Sequence, residues 1–205
     1  MIATFIALVF ALLSPALAQE KAGSIKGTIA VKARRANSPV VVYIDGDGPA
    51  LESLMTGEVA QKNARFKPQG LVVATGAEVS FPNEDKFFHN VYSLAPGASF
   101  DLGHYASGHS ETVIFNEPGV VDVACNIHAD MSMKILVLPN AWYAEVAEDG
   151  SFEITGVTPG PHRVVAWSAD HTPVIRNVTV VDNEALEFSA RLKVSLEYIN
   201  RGGYP

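Results

Sequence analysis

The sequence predicts an all-β fold, and three observations carry that expectation. Beyond residue 18 there is no long stretch with the 3.6-residue apolar period of an amphipathic helix. Short apolar runs recur instead, at 24–31, 40–44, 71–75, 78–81, 91–94, 111–115, 120–124, 134–138, 151–154, 162–167, 177–181 and 185–194. Several alternate with period two, as in Glu78-Val79-Ser80-Phe81 and Glu111-Thr112-Val113-Ile114-Phe115, the pattern of half-buried strands. Turn chemistry separates the runs: Pro96-Gly97, Glu117-Pro118-Gly119, Glu148-Asp149-Gly150 and Thr158-Pro159-Gly160. Many short strands at this spacing make sandwiches or barrels.

In chain order, residues 1–18 are uncharged and apolar and end in Ala16-Leu17-Ala18, the small-x-small pattern of a processing site, followed by polar Gln19-Glu20. Pro15 interrupts the run, which is shorter than the ~20 residues a spanning helix needs. A cleaved export signal is expected over a membrane anchor, and with it a periplasmic or otherwise exported location. Ile25-Lys26-Gly27-Thr28-Ile29 and Ser38-Pro39-Val40-Val41-Val42-Tyr43-Ile44 read as two strands, and 49–54 as a turn or two of helix. The stretch from Gln69 to Asn83 reads as two strands joined at Thr75-Gly76-Ala77, and His89-Asn90-Val91 stands just before another. Phe115-Asn116-Glu117-Pro118-Gly119-Val120-Val121 leads toward Cys125, and Lys134-Ile135-Leu136-Val137 is a further strand. From Glu148 to Trp167 the order is turn, strand, Pro-Gly turn, strand. Trp142, Phe152 and Trp167 are expected in the core there, and 196–205 is a tail.

The chain has 205 residues, a formal net charge of -7 and a pI of about 5.3, with no run of lysines or arginines. Nucleic acid is excluded as a partner, because phosphate neutralisation needs a clustered basic face. There is one cysteine. In an oxidising compartment cysteines pair as disulfides, so a single thiol there must be buried or held by a metal.

That cysteine lies in Cys125-Asn126-Ile127-His128-Ala129-Asp130-Met131, with Met133 just beyond and His89-Asn90-Val91 upstream. A distant histidine, then Cys-x2-His-x2-Met between two strands, is the ligand order of a type 1 copper site. A thiolate and two imidazoles with a long, weak thioether contact suit both copper oxidation states. An inert buried thiol would need no histidine three residues on. A Cys–His nucleophilic pair would need an orienting carboxylate and an oxyanion motif, and neither pattern is present.

On these residues the segment 48–139 resembles a cupredoxin of the plastocyanin and amicyanin kind, a Greek-key β-sandwich. The stretch from Glu148 to Trp167 resembles the second half of a carboxypeptidase-regulatory-like (transthyretin-like) sandwich, whose first half matches the two N-terminal strands. A discontinuous domain, 19–47 with 140–195, is therefore expected around the 48–139 insertion, against the alternative that the N-terminal strands begin the central domain. The whole layout resembles exported methylamine-utilisation or plastocyanin-like proteins. The resemblance implies one type 1 copper held by His89, Cys125 and His128, with Asn90 bracing the cysteine loop and His128 as the electron port. Met131 is implied as the axial ligand, because the family's spacing from axial Met to a following Lys and β-branched strand fits Met131 through Lys134; Met133 is the competitor. The chain departs from the family with Ile127 where Pro often stands, and with Ala129-Asp130 after His128.

The function implied is one-electron transfer between a redox protein donor and acceptor, by a monomer or weak oligomer with no small-molecule substrate. The alternative is copper storage, delivery or sensing. An enzyme is not expected: Cys125 is flanked by Ala124 and Asn126, so the adjacent histidine that wires a type 1 copper to a catalytic copper is absent. His104 and His109 lie in a polar loop and are expected to be solvated, while His162 and His171 belong to the C-terminal sandwich as structural or exposed residues.

Overall fold

The computed structural model describes residues 22–32 and 38–195, so the expected export signal at 1–18 and the tail at 196–205 lie outside the described residues. The fold is all-β. Two strands come first among the described residues, β1 (Gly23–Val31) and β2 (Val40–Asp45). Ten follow in the central segment: β3 (Thr56–Glu58), β4 (Ala60–Gln61), β5 (Phe66–Lys67), β6 (Gly70–Ala74), β7 (Ala77–Pro82), β8 (His89–Ala95), β9 (Ala98–Tyr105), β10 (Ser110–Phe115), β11 (Gly119–Ala124) and β12 (Ser132–Leu138). The last are β13 (Tyr143–Glu145), β14 (Ser151–Val157), β15 (Gly160–Ser168), β16 (His171–Thr172), β17 (Val174–Val180), β18 (Ala185–Glu187) and β19 (Ala190–Val194).

The central strands make one sandwich. A sheet ordered β6-β12-β11-β8-β9 faces one ordered β10-β7-β3, with the small β4-β5 hairpin alongside. Phe66, Val79, Phe81, Val91, Phe115, Val123 and Ile135 fill the space between them. The first two strands pair instead with the end of the chain. β2 runs antiparallel to β13 and β15, and β1 pairs with β14 as well as with β18 and β19. These form a second sandwich around Ile25, Ile44, Trp142, Phe152, Val164 and Phe188. Backbones come close at Gly27, where a Cβ would stand 2.0 Å from the Phe188 carbonyl oxygen. Only glycine fits, which explains the Gly in the first strand.

The two sandwiches pack back to back, and this explains the runs that do not alternate. A strand buried on both faces reads as continuously apolar. On β12, Met133, Ile135 and Val137 face the first core, while Leu136 and Leu138 face the junction. On β2, Val40, Val42 and Ile44 face the second core, while Val41 and Tyr43 meet those leucines. β15 divides likewise, with Val164 and Ala166 one way and Val165 and Trp167 the other. Trp142 and Phe152 sit in the second core as expected, whereas Trp167 belongs to the junction.

Residues 49–54 form no helical turn, a correction to the sequence expectation. They are irregular, with bends at Pro49 and Ser53, and their backbone is recruited elsewhere: Pro49 O accepts from Ala141 N–H at 2.9 Å and Leu54 O from Ala74 N–H at 3.0 Å. Leu51 and Leu54 pack onto the junction.

Candidate metal centre

One end of the first sandwich gathers the chemistry. β11 is paired to β8 on one side and to β12 on the other. Because both pairs are antiparallel, the start of β8, the end of β11 and the start of β12 lie at the same end. His89 opens β8, Cys125 follows β11 directly, and Met131 immediately precedes β12. The loop between them is closed by its own backbone: Cys125 N–H donates to Met131 O at 3.1 Å, and Met131 N–H to His128 O at 3.0 Å.

His89, Cys125 and His128 converge, with ligand atoms all within 4.8 Å of one another. Cys125 Sγ and His128 Nδ1 are 3.8 Å apart, and the two imidazole rings have centroids 4.8 Å apart. His89 is fully buried and Cys125 nearly so, while His128 is half-buried. His89 Nε2 stands 2.8 Å from Asp85 Oδ2, whereas its Nδ1 is buried and has no hydrogen-bond partner. An unmet buried ring nitrogen costs free energy unless something else takes its lone pair. A thiol and two imidazoles, one with such a nitrogen, are a donor set that fits a copper ion.

Met131 is fully buried and stands beside Cys125 through the backbone bond just described. Met133 is also buried, but it pairs with Val123 one step further into the ladder. Asn90 braces the loop as expected, its Oδ1 accepting from Asn126 N–H at 3.4 Å. Its Nδ2 in turn donates to Asp101 Oδ1 at 2.6 Å. The Gly103 N–H and the Asn90 amide together hold the Asp101 carboxyl below its usual range. His104, expected to be free in solvent, is exposed but lies 3.2 Å from Asn126 Oδ1. His109 is exposed, His162 meets Thr158 O, and His171 is buried against Lys32 O.

Three residues beside the centre escaped the sequence reading. Asp85 is buried under His89. Burial pushes its carboxyl up, but hydrogen bonds from Ala64 N–H, His89 and Asn63 N–H together hold it below the ordinary carboxylate value. Phe87 packs on both histidines, with ring centroids 5.1 Å from His89 and 5.3 Å from His128. Phe87, Phe88 and Ile127 are 46%, 58% and 46% exposed, so apolar side chains stand open to solvent next to the two histidines in the chain, with Phe87 in contact with His128 itself. The available signal was Asp85-Lys86-Phe87-Phe88-His89, a carboxylate four residues before the histidine and two aromatics directly before it.

No family model matches the chain, and no curated protein does either. Among solved structures it is similar to a purple cupredoxin from Nitrosopumilus maritimus, at 19% identity over 40% of this chain and 98% of that one, with a TM-score of 0.36. It is similar to an M98A mutant of amicyanin in the Cu(I) form, at 22% identity over 47% and 97%, with a TM-score of 0.38. It is also similar to a copper-containing nitrite reductase from Thermus scotoductus SA-01, at 24% identity over 48% of this chain and 26% of that enzyme, with a TM-score of 0.40.

Proposed function

We propose that this chain is an exported type 1 copper protein that carries one electron at a time between redox protein partners. The observation that carries the reading is the convergence of His89, Cys125 and His128, with the buried Nδ1 of His89 unpartnered. Copper bound there would supply a one-electron couple between its two oxidation states. His89, Cys125 and His128 are the proposed ligands, and Met131 the proposed axial contact.

The protein's own contribution is rigidity and access. His89 and Cys125 are anchored at neighbouring strand ends, and the Asn90 and Met131 bonds fix the intervening loop. Donors held this firmly need little rearrangement when the charge changes. Phe87 shields both histidine rings from water. His128, with the exposed Phe87 against it, is the surface through which a partner exchanges the electron, and a small contact there allows fast release. The -7 net charge favours a partner with a neutral or basic face. The export assignment rests on residues 1–18.

A redox titration of the copper-loaded protein tests this reading. The expected result is reversible transfer of one electron per chain with the copper retained in both states. Stable binding of Cu(I) alone, with release on oxidation, would instead support copper storage or delivery.

A further inference from the structure

We propose that Asp85 is a positioning residue for the centre, holding His89 so that Nε2–H points away from the metal and Nδ1 toward it, and that the Asn63-Ala64 turn in turn holds Asp85. The inference rests on the copper reading above and assigns the part of the chain that prepares the buried ligand.

The groups around Asp85 orient the proton of His89. Asp85 Oδ1 receives Asn63 N–H at 2.7 Å, and Oδ2 receives Ala64 N–H at 2.9 Å and faces His89 Nε2 at 2.8 Å. An ionised carboxylate only accepts, so Nε2 is the ring nitrogen that carries hydrogen and donates. In a neutral imidazole the other nitrogen then has a free lone pair. That nitrogen is the buried, unpartnered Nδ1.

The turn that supplies the amides is built for this purpose. Lys62 N–H bonds Arg65 O at 2.9 Å, closing a two-residue hairpin with Asn63 at φ 57° and Ala64 at φ 51°. Both residues are left-handed, the type I′ conformation that favours Asn and Gly. Alanine there is strained, and such strain persists where the surroundings over-determine it. Here the strained backbone aims two successive amides at one carboxylate. The hairpin is tied to the Asp85 segment by Glu84 N–H to Gln61 O at 3.0 Å and by the Lys62–Glu84 ion pair at 2.8 Å. Negative charge behind an imidazole makes it a stronger donor, and loss of such a partner typically costs ~10–100-fold in metal affinity. Cu(II), carrying the larger charge, gains more from that donor than Cu(I).

The test has one arm without metal and one with it. In the metal-free wild type at pH ~8.5, above the ordinary imidazole value of ~6.5, heteronuclear NMR of the ring nitrogens is expected to find His89 as the Nε2–H tautomer. Hydrogen on Nδ1 would overturn the proposal, and this arm needs neither copper nor a variant. In the loaded protein, Asp85→Asn is expected to weaken Cu(II) by ~10–100-fold and Cu(I) by less, and each decade of that difference raises the potential by ~59 mV. Asp85→Glu, which keeps the charge, should recover part of that change. An Asp85→Asn protein that melts earlier but keeps the wild-type potential would overturn the proposal, because that is the signature of a structural carboxylate. If the wild type takes up no copper, the copper reading fails while the tautomer result still decides the role of Asp85.

Discussion

The sharpest prediction concerns the two buried methionines. The β11–β12 ladder sets Ala124 opposite Ser132 and Val123 opposite Met133. One step beyond its end, Cys125 stands opposite Met131, joined by the 3.1 Å bond from Cys125 N–H to Met131 O. Antiparallel strands rise ~3.4 Å per residue, so Met133 lies ~7 Å deeper in the sandwich than Met131. On this register Met131, rather than Met133, is the thioether that would serve a copper held by Cys125. Replacing either methionine with leucine conserves volume and costs less than ~1.5 kcal/mol, so both variants should fold. Met131→Leu alone removes a donor, and Cu(II) loses more than Cu(I). A decade in that ratio is ~59 mV for one electron, and the potential should rise by about this order. Visible spectroscopy and spectroelectrochemistry of the two variants read the difference. A shifted spectrum and potential in Met133→Leu, with neither moved in Met131→Leu, would refute the register argument.

Three further outcomes follow from the architecture. Gly27→Ala should destabilise the second sandwich by more than ~2 kcal/mol in thermal unfolding, because its Cβ would meet the Phe188 carbonyl at 2.0 Å. Leu138→Ala should cost ~2–5 kcal/mol by opening the junction. It should leave the copper spectrum unchanged, since Leu138 lies at the end of β12 remote from Met131. Tyr43, also in the junction, is pushed up to about 12, first by burial and then by the Asp45 charge, with Arg163 opposing. The unfolded chain thus loses this proton first, near the ordinary value of ~10. Stability from the neutral phenol is complete below pH ~10 and disappears as pH climbs through about 12. Tyr43→Phe should flatten that alkaline loss in denaturant titrations across this range.

Much of the fold was legible because most strands carry the period-two signal or a dense apolar run. Strand β10 was expected at 111–115 and found at Ser110–Phe115, and β7 at 78–81 and found at Ala77–Pro82. Strand β9 was missed because its inward residues Ala98, Phe100 and Leu102 are only partly buried and Gly103, at φ 67°, interrupts it like a turn. The strands β4 and β5 were missed because their two residues each form no pattern. The run 185–194 splits into β18 and β19, since Phe188 turns into the core between them. At the centre, His89, Cys125 and His128 were legible as residue types at family spacing. Asp85 was not, because its role depends on amides from a hairpin more than twenty residues upstream. The exposed aromatics Phe87 and Phe88 precede His89 in the chain, far in sequence from the Cys125–Met131 loop on which the motif reading rests.

The central claim is that Cys125 is a copper thiolate with His89 and His128 beside it. The most direct measurement is the visible absorption of the protein loaded with Cu(II), compared with Cys125→Ser. The account predicts an intense thiolate-to-copper band in the wild type, the blue colour of a His₂Cys site, and its complete loss in the variant. A wild type that binds Cu(II) with only the weak absorption of nitrogen and oxygen ligands, or a band that survives in Cys125→Ser, would contradict it.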